Sequence, residues 1–311
     1  MQGRSILRDD RFGATDEEER YPAGWYALAL SSEVPASGVM GCAFLGSRVV
    51  IRRDAGGQAV VQSGYCPHLG ADLSAGEIVD GDLRCPFHHW CFDAKGACTR
   101  IPTEGKIPPG ARVFTYPTAE AWGLVWAFAG GEPVFGVPRV PKLEERELAY
   151  RLEPLGTEAF PAWLPTSNGV DFQHLRSVHG MRIPGPQAIE VREHHIEYTL
   201  SFPGSVLHGL ITGTNTFSLF RKDGDEVTFR IWPCTPVAPG YSRSYSVVGL
   251  LDPRPATEEG KRALEKRLDE LEVYMARLRD EDHAILASIR FRQGVLVEAD
   301  RHLAAFFKYV R

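Results

Sequence analysis

Two cysteines and two histidines stand in an uncommon arrangement in the first third of the chain. The run Tyr65-Cys66-Pro67-His68-Leu69-Gly70 precedes Cys85-Pro86-Phe87-His88-His89-Trp90, which gives the spacings C-x-H and C-x2-H in two separate segments. Thiolates and neutral imidazoles both bind metals, and a [2Fe–2S] cluster with thiolates on one iron and imidazoles on the other needs two of each. A structural zinc ion is the competing occupant, with Cys91 or His89 able to replace one of the four. Zinc-finger spacings, however, usually place both cysteines in one loop and both histidines in the other. Here each segment supplies one of each.

A second group lies beyond a Pro- and Gly-rich stretch, Gly130 to Pro141. Pro165-Thr166-Ser167-Asn168 reads as the start of a helix that carries Asp171, His174 and His179. Five residues turn a regular helix by about 140°, so His174 and His179 converge on one ion only if the helix unwinds between them. Gly180 makes such an ending plausible. A non-haem iron(II) site that activates oxygen uses two histidines and one carboxylate and leaves other positions open. The carboxylate is found far downstream. From Glu258 to about Arg290 a long helix is predicted, with an apolar stripe Leu264, Leu268, Leu271, Met275, Leu278. That stripe continues onto Asp282 and then Ile285 and Ile289. A lone buried carboxylate is costly, so Asp282 demands a cation, an Arg partner or a donor network. Asp280 and Glu281 fall off the stripe and read as solvated.

The elements that hold the first group read as hairpins. Ser47 to Arg53 and Gln58 to Tyr65 flank the turn Asp54-Ala55-Gly56-Gly57 and deliver Cys66; Trp90 to Asp93 and Ala97 to Ile101 flank Lys95-Gly96 behind His88. The stretch from Ala188 to Phe202 reads as one strand, with His194 and His195 on opposite faces. His208 is a weaker candidate for a substrate contact. Phe217, Phe220, Phe229 and Trp232 read as strand-spaced core, His302 as structural, and Cys42, Cys91, Cys98 and Cys234 as small buried hydrophobes.

Cys66-Pro-His68-Leu-Gly and Cys85-Pro-Phe-His88 resemble the Rieske iron–sulfur motif, in its oxygenase and ferredoxin branch. Respiratory Rieske proteins carry a further cysteine in each loop, where this chain has Ala71 and Phe87; the oxygenase branch usually has Gly where this chain has His89. Asn168-x2-Asp171-x2-His174-x4-His179 and Glu-Asp282-His-Ala-Ile-Leu resemble the mononuclear-iron segments of Rieske non-haem iron oxygenases. The resemblance runs from Gly24-Trp25-Tyr26 to the carboxyl-terminal helix. It implies an α+β chain: a Rieske β-domain over residues 1–141, with its core at about 24–130, then a helix-grip, START-like catalytic domain over 142–311, whose antiparallel sheet curls round a carboxyl-terminal helix. It implies that Cys66, His68, Cys85 and His88 hold the cluster, that His174, His179 and Asp282 hold Fe(II), and that Asn168 and Asp171 serve the catalytic site. Asp171 would bridge a histidine of the catalytic iron and His88 of a neighbouring subunit, in a head-to-tail homotrimer. The implied activity is hydroxylation or oxidative demethylation of a small, largely apolar substrate, with O2 and two electrons. No nicotinamide or flavin fingerprint is present, so a separate NAD(P)H-dependent reductase or ferredoxin is the implied partner. The competing classes are a Rieske electron carrier, which leaves residues 142–311 unexplained, and a zinc-stabilised ligand-binding module.

Composition agrees with a folded chain of two domains. The 311 residues are 43% hydrophobic and 24% charged, with a formal charge of -5 and no basic block to neutralise a phosphate backbone, so nucleic acid is not an expected partner. No apolar run approaches the roughly 20 residues of a membrane span, and the amino terminus lacks the apolar core of a secretory signal. A cytoplasmic protein with reduced cysteines is the expectation.

Overall fold

The computed structural model describes residues 21–140, 143–184, 188–289 and 294–310. It divides into two units: the chain up to Val137 together with Thr235–Pro239, and Pro138–Cys234 with Gly240–Arg311. The domain boundary expected at 141/142, like the amino-terminal twenty residues, lies outside the described residues. Among those described, no helix is long and apolar enough to cross a membrane.

The first unit is built of short antiparallel strands. They are β1 (Gly24–Leu30), β2 (Met40–Phe44), β3 (Ser47–Arg53), β4 (Ala59–Ser63), β5 (Glu77–Val79), β6 (Asp82–Arg84), β7 (Cys91–Phe92), β8 (Cys98–Arg100), β9 (Thr115–Tyr116), β10 (Thr118–Ala121) and β11 (Leu124–Ala129). They form sheets ordered β1-β11-β10, β2-β3-β4-β9 and β5-β6-β7-β8. Both expected hairpins are present, β3 with β4 and β7 with β8. The β3 run Val49-Val50-Ile51 does not alternate in polarity because both of its faces are buried. Val49 and Ile51 join one cluster with Tyr26, Phe44 and Val61; Val50 joins another with Leu73, Leu83, Phe92, Cys66 and Cys85. The two cysteines are thus part of a hydrophobic core.

The second unit contains β12 (Leu148–Glu158), β13 (Ile189–Val191), β14 (His195–Phe202), β15 (Ser205–Thr212), β16 (Thr216–Asp223), β17 (Glu226–Ala238) and β18 (Tyr241–Leu251), with helices α1 (Trp163–Ser167), α2 (Phe172–Ser177), α3 (Glu258–Leu286) and α4 (Arg301–Tyr309). The strands form one sheet in the order β12-β18-β17-β16-β15-β14-β13. Antiparallel meanders of this kind leave one face free to pack a helix. On that face, Val248 and Leu250 of β18 meet Leu268, Leu271, Met275 and Leu278 of α3. Ion pairs tie the helix to the sheet, Arg151 with Glu265 and Asp269, and Arg267 with Glu226 at 2.7 Å. Thr257 caps α3 by accepting from the Gly260 amide at 3.1 Å, and Glu258 and Glu259 oppose the helix dipole. α4, which the sequence reading passes over, buries Phe306 against Ile196, Tyr198 and Leu200.

Several local expectations change. The stretch 188–202 is a hairpin, not one strand: His194 lies in the turn between β13 and β14, His195 is the first residue of β14, and both are part-exposed. After Leu278 and Asp282 the buried row of α3 passes to Leu286, while Ile285 and Ile289 are about two-fifths exposed, at 41% and 42%. A step of three from Asp282 turns Ile285 about 60° away, whereas a step of four turns Leu286 about 40° back toward the row, and Ile289 lies beyond the last helical residue, Leu286. Cys42, Cys91 and Cys234 are buried and Cys98 is only partly so; His302 is buried edge-to-face on Phe172.

Candidate metal centres

The two loops of the first unit have matching backbones. In the first, the Gly70 amide donates to the Cys66 carbonyl at 2.9 Å and the Cys66 amide to the Ala71 carbonyl at 2.9 Å. In the second, the His89 amide donates to the Cys85 carbonyl at 3.2 Å and the Cys85 amide to the Trp90 carbonyl at 2.8 Å. Each loop needs a left-handed residue four after its cysteine. Gly70 meets this with φ +73° and His89 with φ +55°, a conformation that strains a residue carrying a Cβ. His89 therefore stands at a glycine-type position, and its side chain lines a shallow depression with Val79, Arg84 and Arg100. His88 instead packs against His68, with ring centroids 4.7 Å apart, and His68 stacks on Trp90 at 4.5 Å.

Burial divides the four candidate ligands by type. Cys66 and Cys85 are 3% and 1% exposed, whereas His68 and His88 are exposed. Desolvation, with the neighbouring Cys85 adding to it, pushes the Cys66 thiol up to about 12, so a thiolate there requires a cation. Among the described residues, one group of three or more ligand atoms lies within 4.8 Å of one another, and it is not these four. The cysteine pair and the histidine pair do not close on a single point, as one tetrahedral zinc would require. Two thiols inside and two imidazoles outside fit a two-iron cluster.

The compact group is His174, His179 and Asp282. The expected helix start at Pro165–Asn168 is corrected: α1 ends there, with Asn168 as its carboxyl-terminal cap, and Asp171 caps α2 by accepting from the His174 amide at 2.9 Å. An Asx-type acceptor three residues before an amide is a stronger start signal than the Pro-Thr-Ser run. α2 stops at Ser177, and Gly180 takes φ +64°, so the chain turns back and brings His179 to His174. α3 delivers Asp282, 5% exposed, from its buried row.

Three atoms meet. His174 Nε2 and His179 Nε2 are 3.0 Å apart, and Asp282 Oδ1 lies 3.0 Å from the first and 3.2 Å from the second. Yet that oxygen is buried without a directed hydrogen bond. His179 Nδ1 faces the Glu281 carboxylate at 2.7 Å, and a carboxylate only accepts, so the proton sits on Nδ1 and Nε2 presents its lone pair. Lone pairs and a carboxylate aimed at one point repel unless a cation lies among them. Ligands at about 2.1 Å from an ion stand about 3.0 Å apart at right angles and about 3.4 Å apart in a tetrahedron, so the triangle fits one face of an octahedron. The donor set suits a divalent iron.

Glu281, which periodicity assigns to solvent, faces the candidate ligand His179 instead. It is 36% exposed and also 3.6 Å from Arg277, but its second oxygen orients a ligand. No periodicity marks it; only its position beside Asp282 hints at it. Asp171 and Asn168 are near α2 but touch neither imidazole ring among the described contacts; the Asn168 side-chain nitrogen is buried without a partner. His208 pairs with Phe220 in the sheet and bonds to Thr199 at 2.9 Å, one position out of phase with Leu207, which faces the α3 side. A cavity of about 520 Å³ opens on that side between the sheet and α3, walled by Met181, Phe202, Leu207, Leu219, Met275 and Leu278. Met181 follows His179 by two residues, and Leu278 precedes Asp282 by one helical turn.

Residues 24–117 match the Rieske [2Fe-2S] domain family. Over 166 residues the chain is 38% identical to a cholesterol 7-desaturase of Xenopus laevis, covering 51% of this chain and 36% of the relative. Over 180 residues it is 35% identical to the aminopyrrolnitrin oxygenase PrnD of Pseudomonas fluorescens, covering 55% of this chain and 49% of the relative. The match thus spans half or less of these relatives' lengths. Among solved structures, NdmA of Pseudomonas putida CBB5 with theobromine superposes with a TM-score of 0.74 over 92% of this chain and 88% of its own, at 18% identity. Apo dicamba monooxygenase superposes at 0.67 over 92% and 94%, also at 18% identity, a likeness of fold. Residues 24–117 thus belong to the Rieske [2Fe-2S] domain family, and along its length the chain has the fold of NdmA and dicamba monooxygenase.

Proposed function

We propose that the protein is the terminal oxygenase of an electron-transfer system, and that it hydroxylates or oxidatively demethylates a small, largely apolar organic molecule. The observation that carries this is the triad: two imidazole nitrogens and an otherwise unpartnered buried carboxylate oxygen at 3.0–3.2 Å; a cavity of about 520 Å³ is walled by Met181 and Leu278, near neighbours of the triad in the chain. When bound, the [2Fe–2S] cluster relays electrons and the ferrous ion supplies oxygen activation. Two electrons, two protons and O2 then insert one oxygen atom into a C–H bond and release one water. An electron carrier has no use for the triad, and a zinc module does not account for the division of buried thiols from exposed imidazoles.

The chain's own residues have separable tasks in this reading. Cys66 and Cys85 would hold one iron of the cluster, and His68 and His88 the other. His174, His179 and Asp282 would hold the catalytic ion, and Glu281 holds the His179 proton on Nδ1. The cavity wall excludes water and orients the substrate. Asp171, which caps α2 through one oxygen, has a second carboxylate oxygen to offer His88 of a neighbouring subunit in a homotrimer, and Asn168 supports the same segment. Electrons come from a separate NAD(P)H-dependent reductase or ferredoxin. Six free cysteines suit a reducing compartment, the cytoplasm. The relatives' names span a sterol desaturase and an aminopyrrolnitrin oxygenase, so they do not select a substrate.

Iron analysis and turnover test the proposal together. Anaerobically reconstituted protein is expected to hold about three irons per chain, two in a brown cluster, and to consume O2 with a reductase and a substrate. Asp171→Asn is expected to keep all of this iron and slow transfer between the centres. A colourless zinc protein, or loss of the cluster in Asp171→Asn, would count against the reading.

A further inference from the structure

The cavity of the second unit is charged at one end and apolar at the other. On β16 and β17, Asp223 pairs with Glu226 at the hairpin end, Arg221 pairs with Thr228 one row further in, and Leu219 stands in the row after that; all five line the cavity. Glu226 binds Arg267 of α3 at 2.7 Å, so the helix passes the charged row there, and its cavity-lining residues run from Arg267 and Glu270 to Met275 and Leu278. Arg221, Asp223 and Glu270 are exposed, whereas Met275 and Leu278 are buried. The charged end is therefore the mouth.

Two lengths along the wall give the depth. The strand from Asp223 to Leu219 spans about 13 Å, and the helix from Glu270 to Leu278 about 12 Å. A volume of about 520 Å³ over that depth leaves a cross-section of about 40 Å², roughly 6 Å across. Carbon atoms in contact stand about 3.5–4.0 Å apart, so the slot takes one layer of rings. A single ring does not reach from the mouth to the inner wall. The mouth also offers no net charge, because among the described lining residues Arg182, Arg221 and Arg267 match Asp223, Glu226 and Glu270. Arg267 binds both oxygens of Glu226, at 2.7 and 2.8 Å, and Glu270 at 3.1 Å; Arg221 binds Asp223 at 2.8 Å. The Arg267 guanidinium holds the Glu226 carboxyl below the usual range, so this pair stays ionised at neutral pH. An ionic ligand leaves one of these charges in excess, whereas a hydroxyl both donates to a carboxylate and accepts from a guanidinium.

We propose that the preferred substrate is a neutral, elongated apolar molecule, two or more rings in a single layer, with a hydroxyl-type terminus held by the Arg221–Asp223 and Arg267–Glu226 pairs. Its opposite end lies against Leu219, Met275 and Leu278, the part of α3 that leads one turn on to Asp282. Oxidation then falls on carbon remote from the polar terminus. The inference rests on the oxygenase reading in taking this ligand for the substrate; the mode of binding stands on the cavity.

Equilibrium dialysis of the iron-loaded protein against 4-phenylphenol, phenol and 4-phenylbenzoate tests this. 4-Phenylphenol is expected to bind about tenfold or more tighter than phenol, the scale of burying a second ring, and about fivefold or more tighter than the charged 4-phenylbenzoate. An equal or reversed order in either comparison overturns the proposal, and neither comparison needs a variant to fold. Leu219→Trp fills the inner end and is expected to erase the gain of 4-phenylphenol over phenol. Glu226→Gln leaves Arg267 in excess and is expected to narrow or reverse the discrimination against 4-phenylbenzoate. A gain that survives the first substitution, or a discrimination untouched by the second, overturns the proposal as well, because the ligand is then held elsewhere. Iron counting on the same samples separates the two readings. These preferences without the third iron keep the ligand site and end the oxygenase proposal, and three irons without the preferences do the reverse.

Discussion

The two candidate metal centres are built by opposite means. In the first unit, four ligands fall between Cys66 and His88, and a pair of backbone hydrogen bonds shapes each loop round its cysteine. In the second, the ligands are 174, 179 and 282, and they meet because α2 stops early and α3 packs on the sheet. The first centre divides its ligands by burial, thiols inside and imidazoles outside. The second buries its carboxylate in a helix row that is otherwise hydrophobic. A site made from loops tolerates distant changes and suffers from local ones, whereas a site made by packing depends on side chains that never touch the ion.

Each substitution below presses on one side of that contrast. Asp282→Ala is expected to have the largest effect. It removes the only carboxylate of the triad, so one of about three irons is lost and turnover stops while the brown cluster absorbance persists, checked by iron analysis and visible spectra. Leu278→Ala touches no ligand but deletes a buried side chain one turn before Asp282. It should destabilise the second unit by about 2–3 kcal/mol in denaturant titrations and weaken retention of the catalytic iron, again with the cluster spectrum unchanged. Glu281→Gln keeps the shape and loses the carboxylate that fixes His179; iron affinity at the triad is expected to fall about 10–100-fold, read by chelator competition. His89→Gly relieves a left-handed residue in the loop centre. Thermal unfolding should show the first unit stabilised by up to about 1 kcal/mol, with the cluster spectrum retained. If Leu278→Ala bleached the cluster, or His89→Gly destroyed it, the contrast between loop-made and packing-made sites would not stand.

The sequence made the first centre legible because its ligands, turns and flanking strands are local. It also exposed Asp282, since an acid in the row Leu271, Met275, Leu278 is out of place there. Other features were hidden in proportion to how far they depend on neighbours. Asn168 and Pro165 looked like a helix start but close α1, because turn residues signal a boundary without its direction. Glu281 lies about 100° round the helix from Asp282 and by periodicity belongs to solvent; the turn at Gly180 brings His179 within 2.7 Å of it. His89 departs from the glycine of the oxygenase branch, and the cost of that departure became visible only with its φ of +55°.

By itself, the order of amino acids determined the ligand types, the two hairpins of the first unit and the helix face that carries a carboxylate inward, since each follows from spacing over a few turns of chain. Tertiary structure alone decided that Asp282 meets His174 and His179, more than a hundred residues upstream, with donor atoms 3.0–3.2 Å apart, and that Glu281 faces one of them. Periodicity specifies which side of an element turns toward the core, but what stands opposite is set by strand order and helix packing, which join residues that no local pattern connects.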